Sequence, residues 1–131
     1  MLFDRVGAII LKDNKILLVT GNNSKFYWTP GGKTLENETN EEALQRELKE
    51  ELNIKASSIK FYYSYKGENR ATKKKGNFGY YLIKKYIGKI SPDNEIKEAR
   101  FLNKYEIKNG KIKTSPGVKI LVNLLEKDGF L

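Results

Sequence analysis

The 131-residue chain contains no cysteine and no histidine. The first absence excludes disulfides, zinc–thiolate sites, iron–sulfur clusters and thiol nucleophiles. The second excludes Ser-His and Cys-His triads, imidazole acid–base catalysis and histidine metal sites. Acid–base and metal chemistry is left to carboxylates, lysines and tyrosines. Long hydrophobic runs are also missing. The apolar stretch at residues 6–11 is too short to span a membrane, and no basic segment with a small-residue cleavage site accompanies it. A soluble, cytoplasmic protein without a membrane partner is the expectation. A hydrophobic fraction of 39% with 11% aromatics suits one globular domain over residues 1–131.

Charge is plentiful but uneven. The net charge is +9, yet residues 34–54 hold seven acids against two bases, while residues 55–119 hold seventeen bases against five acids. A compact acidic segment in a basic chain is what a cation site facing an anionic ligand looks like, and a solvated acidic helix would look the same.

Residues 6–12 and 15–20 read as strands of a hairpin turned by Asp13 and Asn14. Residues 26–28 read as a short aromatic strand, and Thr29-Pro30-Gly31-Gly32 as a break that lets backbone approach a ligand. Asn40 is placed to cap a helix ending near Leu52, with Asn53 as a left-handed stop. Strands at 59–66 and 77–86 are expected to pair across a basic loop at 67–76, with a further strand at 99–102. Ser115 and Pro116 open a last helix carrying Val118, Leu121, Val122 and Leu125 at helical spacing, and Gly129 stops it.

On a helical wheel Leu44, Leu48 and Leu52 form the buried stripe. Glu51 borders it, with Glu47 and Glu50 alongside and Ala43 leaving space among them. Three carboxylates at i, i+3 and i+4 repel one another, and two of them sit near the negative end of the helix dipole. A bound divalent cation reverses every one of these terms; Arg46 and Lys49 as ion-pair partners are the alternative. An oxygen-only donor set favours a hard ion, Mg2+ or Mn2+.

Gly32, Glu38, Arg46, Glu47, Glu50 and Glu51, with Leu48 and Ile54 at the apolar positions, resemble the Nudix box (residues 32–54) at matching spacing. At background residue usage the six polar and glycine positions would coincide by chance about once in 10⁵ chains of this size. Asn53 stands where the family usually has Gly, and asparagine is the mildest replacement in a left-handed turn. Trp28 to Gly32 is similar to the family's aromatic-Pro-Gly-Gly entry.

The resemblance implies an α/β fold, the Nudix α/β/α sandwich with a mixed β-sheet, and hydrolysis of a diphosphate linkage in a nucleoside diphosphate derivative. It also implies Mg2+ (or Mn2+) held by Glu47, Glu50, Glu51 and the Gly31 carbonyl, with Arg46 holding a glutamate in register and Glu38 in a supporting place. Glu98 is the preferred further carboxylate for proton transfer, with Glu95 or a box glutamate as alternatives, and an exposed strand-edge carboxylate accounts for Glu98 equally well. Arg70, Lys73, Lys74 and Lys75 are candidates to meet a polyphosphate or a nucleic-acid backbone, though a solvated loop tip accounts for them too. Phe61, Tyr63, Tyr65 and Tyr80 are candidates to stack a base, or else to fill a sheet face. The chain has three prolines, none of them in residues 55–91, which speaks against the ADP-ribose and NADH subfamilies. Its small size resembles MutT-type nucleoside triphosphate pyrophosphatases. The expected partner is a small nucleotide. RNA 5′-end processing and non-catalytic nucleotide binding are the alternatives.

Overall fold

The computed structural model describes residues 2–68 and 75–131. Asp13 and Asn14 take positive φ (51° and 60°) and turn the chain between β2 (Leu11–Lys12) and β3 (Lys15–Gly21), as that dipeptide predicts. With β7 (Ile96–Asn103) these strands form a three-stranded antiparallel sheet ordered β2-β3-β7. A second sheet joins β1 (Arg5–Ile9), β4 (Gly31–Lys33), β5 (Lys55–Glu68) and β6 (Lys75–Ile87) in the order β4-β1-β6-β5. Only β1 and β6 run parallel in it. This is the mixed sheet that the resemblance implies, and the antiparallel β2-β3-β7 sheet stands beside it.

Period-two alternation sorts the side chains into two cores. Val6, Ala8, Leu17 and Val19 face α1 (Asn40–Leu52), whose Leu44, Leu48 and Leu52 are fully buried against them. Ile9, Ile16, Leu18 and Leu82 face the other way, against Ile107 of α2 (Lys104–Lys108) and Val118, Leu121, Val122 and Leu125 of α3 (Pro116–Lys127). Helices on both faces of the strand layer make the expected α/β/α sandwich. No helix among the described residues is long and apolar enough to cross a membrane.

Several local details differ from the sequence reading. Thr39, not Asn40, is the N-cap. Its side chain accepts from the Glu42 N–H while the Glu42 side chain accepts from the Thr39 N–H, a capping box whose Thr-x-x-Glu pattern was readable. Asn40 instead accepts the Phe3 N–H at 2.9 Å and ties down the N-terminal segment. Ala43 leaves no open space but is fully buried in the core. Residues 26–28 contribute only isolated bridges, Val19 with Trp28 and Tyr27 with Thr114, while the glycine pair meant to break structure forms β4. Pairing of β5 with β6 runs on to Glu68 and Lys75, beyond the predicted loop boundary. The short α2, with its own Asn103–Glu106 capping box, was not anticipated.

The end of α1 explains the asparagine. Asn53 adopts φ 58°, ψ 36°, and its Nδ2 donates to the Ser91 carbonyl (3.0 Å) and to Asp93 Oδ2 (3.3 Å). The same loop caps the last turn, with Ser91 N–H donating to Leu52 O, Asp93 N–H to Glu51 O and Asn94 Nδ2 to Glu50 O. Glycine would relax the backbone but lose both side-chain bonds, whereas alanine would lose the bonds and keep the strain. Asn53→Ala is expected to cost about 1–2 kcal/mol, lowering the melting temperature by roughly 3–8 °C. Asn53→Gly should stay within about half of that loss, and thermal melts of the two variants check the order.

Candidate functional site

Helix α1 lies across β4, and the contact is polar. The Pro30 carbonyl accepts the Ala8 N–H, so Gly31 turns its own N–H away from β1, and that N–H donates to Glu51 Oε1 at 2.8 Å. Beside it, a Cβ on Gly32 would lie 2.6 Å from Glu47 Oε1, so only glycine lets the Glu47 carboxyl rest on the strand. Gly31 has φ 140°, and a Cβ there would meet the Val6 carbonyl at 2.0 Å. The glycine pair thus admits two carboxyls of α1 to the outer edge of the sheet.

Arg46 organises the rest. Its Nε and Nη2 fork onto Glu38 (2.7 and 3.1 Å), Nη1 reaches Glu47 (3.0 Å) and more weakly Glu50 (3.5 Å), and Nη2 also donates to the Lys33 carbonyl (2.9 Å). The hydrogen bond from Arg46, helped by the Leu35 N–H, holds the Glu38 carboxyl below the usual carboxylate range. The Arg46 guanidinium is held above its ordinary value, chiefly by its bond to Glu38. Burial raises Glu47 despite Arg46. Glu51 is 2% exposed, and burial, followed by the repulsion of Glu47, Glu95 and Glu50, pushes its carboxyl up to about 8 against the opposing pull of the Gly31 N–H. Among the described residues neither Lys49 nor any other base pairs with Glu51.

That unpaired buried carboxyl, with Glu47 and Glu50 one turn and one residue away, is a donor set suited to a hard divalent cation. No group of three or more acidic side chains among the described residues is already gathered into a metal-binding arrangement. Arg46 Nη1 instead contacts both Glu47 and Glu50. Glu50, half exposed and held only at 3.5 Å, is the carboxylate with freedom to swing inward. The contact Gly31 makes here is through its amide; the carbonyl role was implied by resemblance alone.

Glu98 does not join this cluster. It shares with Arg100 and Leu102 the face of β7 that packs toward α3, while Ala99 and Phe101 face the α1 core. Its carboxylate accepts from the Tyr27 hydroxyl (2.8 Å) and pairs with Arg100 (3.4 Å). Glu95 is the later-loop acid whose charge is felt by both Glu47 and Glu51. The signal that could have found it is the Asn53 side chain, which anchors the loop just before it.

A pocket of about 630 Å³ opens on the other side of Gly31 and Gly32. Tyr80, 7% exposed, lines it with Tyr65 and Phe78, and the Tyr65 ring stacks on Tyr80 (6.0 Å, 14°) and on Tyr63 (5.9 Å, 21°). Phe61 does not join this group. The register shift between Phe61 and Tyr63 puts it on the opposite face, stacked on Phe3 at 5.8 Å. Arg5, Thr29 and the first turn of α3 also line the pocket and were not anticipated. Of the basic loop, Arg70, Lys73 and Lys74 lie outside the described residues, and Lys75 is exposed at the start of β6.

Known proteins share sequence or fold with this chain. An 8-oxo-dGTP diphosphatase of Buchnera aphidicola subsp. Schizaphis graminum is 35% identical over 91 residues, 63% of this chain and 64% of that protein. The chain therefore spans just under two thirds of that relative's length. The solution structure of the E. coli ORF135 protein matches with a TM-score of 0.78 at 23% identity, covering 98% of this chain and 93% of that one. The MutT NUDIX hydrolase of Burkholderia pseudomallei matches with a TM-score of 0.79 at 20% identity, covering 94% and 97%. At these identities the two structures speak for the fold. The family model described as NUDIX domain matches residues 1–120, across both sheets and the box helix, and the chain belongs to the Nudix family.

Proposed function

We propose that the chain is a Mg2+-dependent pyrophosphohydrolase that cleaves a diphosphate linkage in a nucleoside triphosphate or related nucleotide. The observation that carries this reading is the placement of Glu51 and Glu47 against Gly31-Gly32, with Glu50 beside Glu47 on Arg46, at a strand edge that also lines an aromatic pocket. Glu47, Glu50, Glu51 and the Gly31 carbonyl would hold the cation. When bound, it neutralises phosphate charge and polarises the attacked phosphorus and its water. Arg46 keeps Glu47 aimed at the strand edge and, through Glu38 and the Lys33 carbonyl, fixes the helix against the loop before it. Glu95, within electrostatic reach of the box and exposed, is the carboxylate proposed to accept the water proton. Tyr65 and Tyr80 offer ring faces to a base.

The test is a phosphate-release screen with Mg2+ over nucleoside triphosphates, 8-oxo-dGTP, ADP-ribose, dinucleoside polyphosphates and capped RNA. Monophosphate and pyrophosphate from a triphosphate, abolished by excess EDTA, is the expected result. Orthophosphate as first product, or full turnover in EDTA, contradicts it. Turnover of capped RNA alone would support an RNA-processing role, and binding without turnover a non-catalytic one.

Proton transfer is tested by Glu95→Gln, expected to lower kcat by about 10²-fold or more, against Glu98→Gln, expected to change it by less than about threefold.

Glu51 ties function to stability. In the folded metal-free state its carboxyl keeps its proton up to about 8, against 4.5 as the ordinary value. Between those values the folded chain binds more protons than the unfolded one, so stability falls as pH rises, by up to about 1.4 kcal/mol per pH unit. Glu51→Gln keeps an acceptor for Gly31 and removes the titration. Its metal-free melting temperature at pH 8 should exceed that of the wild type by several degrees, with the gap closing near pH 5. Hydrolysis and Mg2+-induced stabilisation should be lost. Melts at pH 5 and pH 8, with and without EDTA, check the sign.

A further inference from the structure

One strand inward from the carboxylates, Arg5 is the only charged side chain lining the pocket among the described residues. Alternation puts Arg5 and Gly7 on the pocket face of β1, with Phe78 and Tyr80 on that of β6 and Tyr63 and Tyr65 on that of β5. The register makes two rows across the sheet. One runs Gly31, Gly7, Tyr80, Tyr63; the other runs Lys33, Arg5, Phe78, Tyr65. At about 4.8 Å between strands, charged groups at the sheet edge come first (Glu51 on Gly31 in one row, Lys33 in the other), then Arg5, then aromatic rings. A nucleotide has the same order, from the bridging phosphate through the phosphate on the ribose to the base.

Arg5 is also unspent. Among the described residues its guanidinium makes no ion pair, and neither does Lys33 directly across from it. Like charges opposite one another on neighbouring strands are unfavourable unless an anion comes between them. Gly7 leaves the strip beside Arg5 without a side chain, and the Tyr80 ring packs over it, 2.8 Å from where a Cβ would lie.

We propose that Arg5 is a specificity-determining residue that binds the phosphate remaining on the nucleoside, so that the pocket selects anionic nucleotides and holds the monophosphate product. This rests on the diphosphate-hydrolysing reading above. The guanidinium fork suits two phosphate oxygens at once, whereas lysine offers only a point charge.

The experiment is equilibrium dialysis of dGMP and deoxyguanosine with the full chain in EDTA, for wild type, Arg5→Gln and Arg5→Lys. Melting curves confirm that each variant is folded. Arg5→Gln should weaken dGMP about tenfold or more and leave deoxyguanosine within about twofold. Arg5→Lys should recover part of the loss, and the salt dependence of dGMP binding should flatten in Arg5→Gln. In the hydrolysis assay KM should rise by a larger factor than kcat falls. Equal losses for nucleotide and nucleoside would mean that Arg5 reads the base, which overturns the proposal. So would unchanged dGMP binding in Arg5→Gln when the wild type hydrolyses triphosphates, a result that leaves the enzymatic reading standing. Absence of both hydrolysis and dGMP binding in the wild type would bring down that reading and this inference together.

Discussion

A carboxyl group buried to 2% exposure with one backbone N–H as its fixed donor is the constraint around which this molecule is arranged. Burying a carboxylate without a counter-charge is costly, and the chain meets the cost by keeping the Glu51 proton rather than by supplying a base. The bond to Gly31 then sets the height of α1 along β4, and every other feature of the edge follows. Two successive residues without side chains are needed, the Pro30 carbonyl before them must go to the Ala8 N–H of β1, and the helix must end where the loop at residues 91–94 caps its last carbonyls. The leucine stripe supplies the adhesion, but leucines alone would tolerate a helix shifted by a turn.

Arg46 answers a different difficulty. Four glutamates lie within its reach or one residue beyond it, and a single lysine would satisfy one of them. A planar fork that touches Glu38, Glu47 and the Lys33 carbonyl at once keeps the loop, the helix and the strand edge in a common frame while leaving Glu50 only weakly held. Positioning and release are therefore divided between two carboxylates one turn apart.

Much of this was legible in the residues. The hairpin at Asp13-Asn14, the leucine stripe, the left-handed Asn53 and the α3 stripe are local signals, and each stands where it was read. What escaped was non-local. Glu98 reads as well as Glu95 in one dimension, and only the bulge between Thr20 and Gly21 in the β3–β7 register settles which face each residue takes. Phe61 and Tyr63 look like one alternating series until the register shift between them separates it. The cap was missed at Thr39 for a simpler reason, since Asn40 is an equally good capping residue and only the Glu42 reciprocal bond distinguishes them. Arg5 carries no motif, and its place beside the pocket depends on a parallel pairing between strands about seventy residues apart.

The same irregularities in β5 bear on how the molecule behaves in a crowd. β5 is the outermost strand of its sheet, fourteen residues long, and a flat edge of that length is a template for a second chain to add on. Its register breaks at Ala56/Ser58, Ser58/Ile59 and Phe61/Tyr63, and Lys55, Lys60 and Lys66 punctuate it. An incoming strand would find no more than three consecutive rungs along the first nine residues before meeting a kink or a charge. The kinks that aim tyrosines into the pocket thereby also guard the exposed rim against self-adhesion.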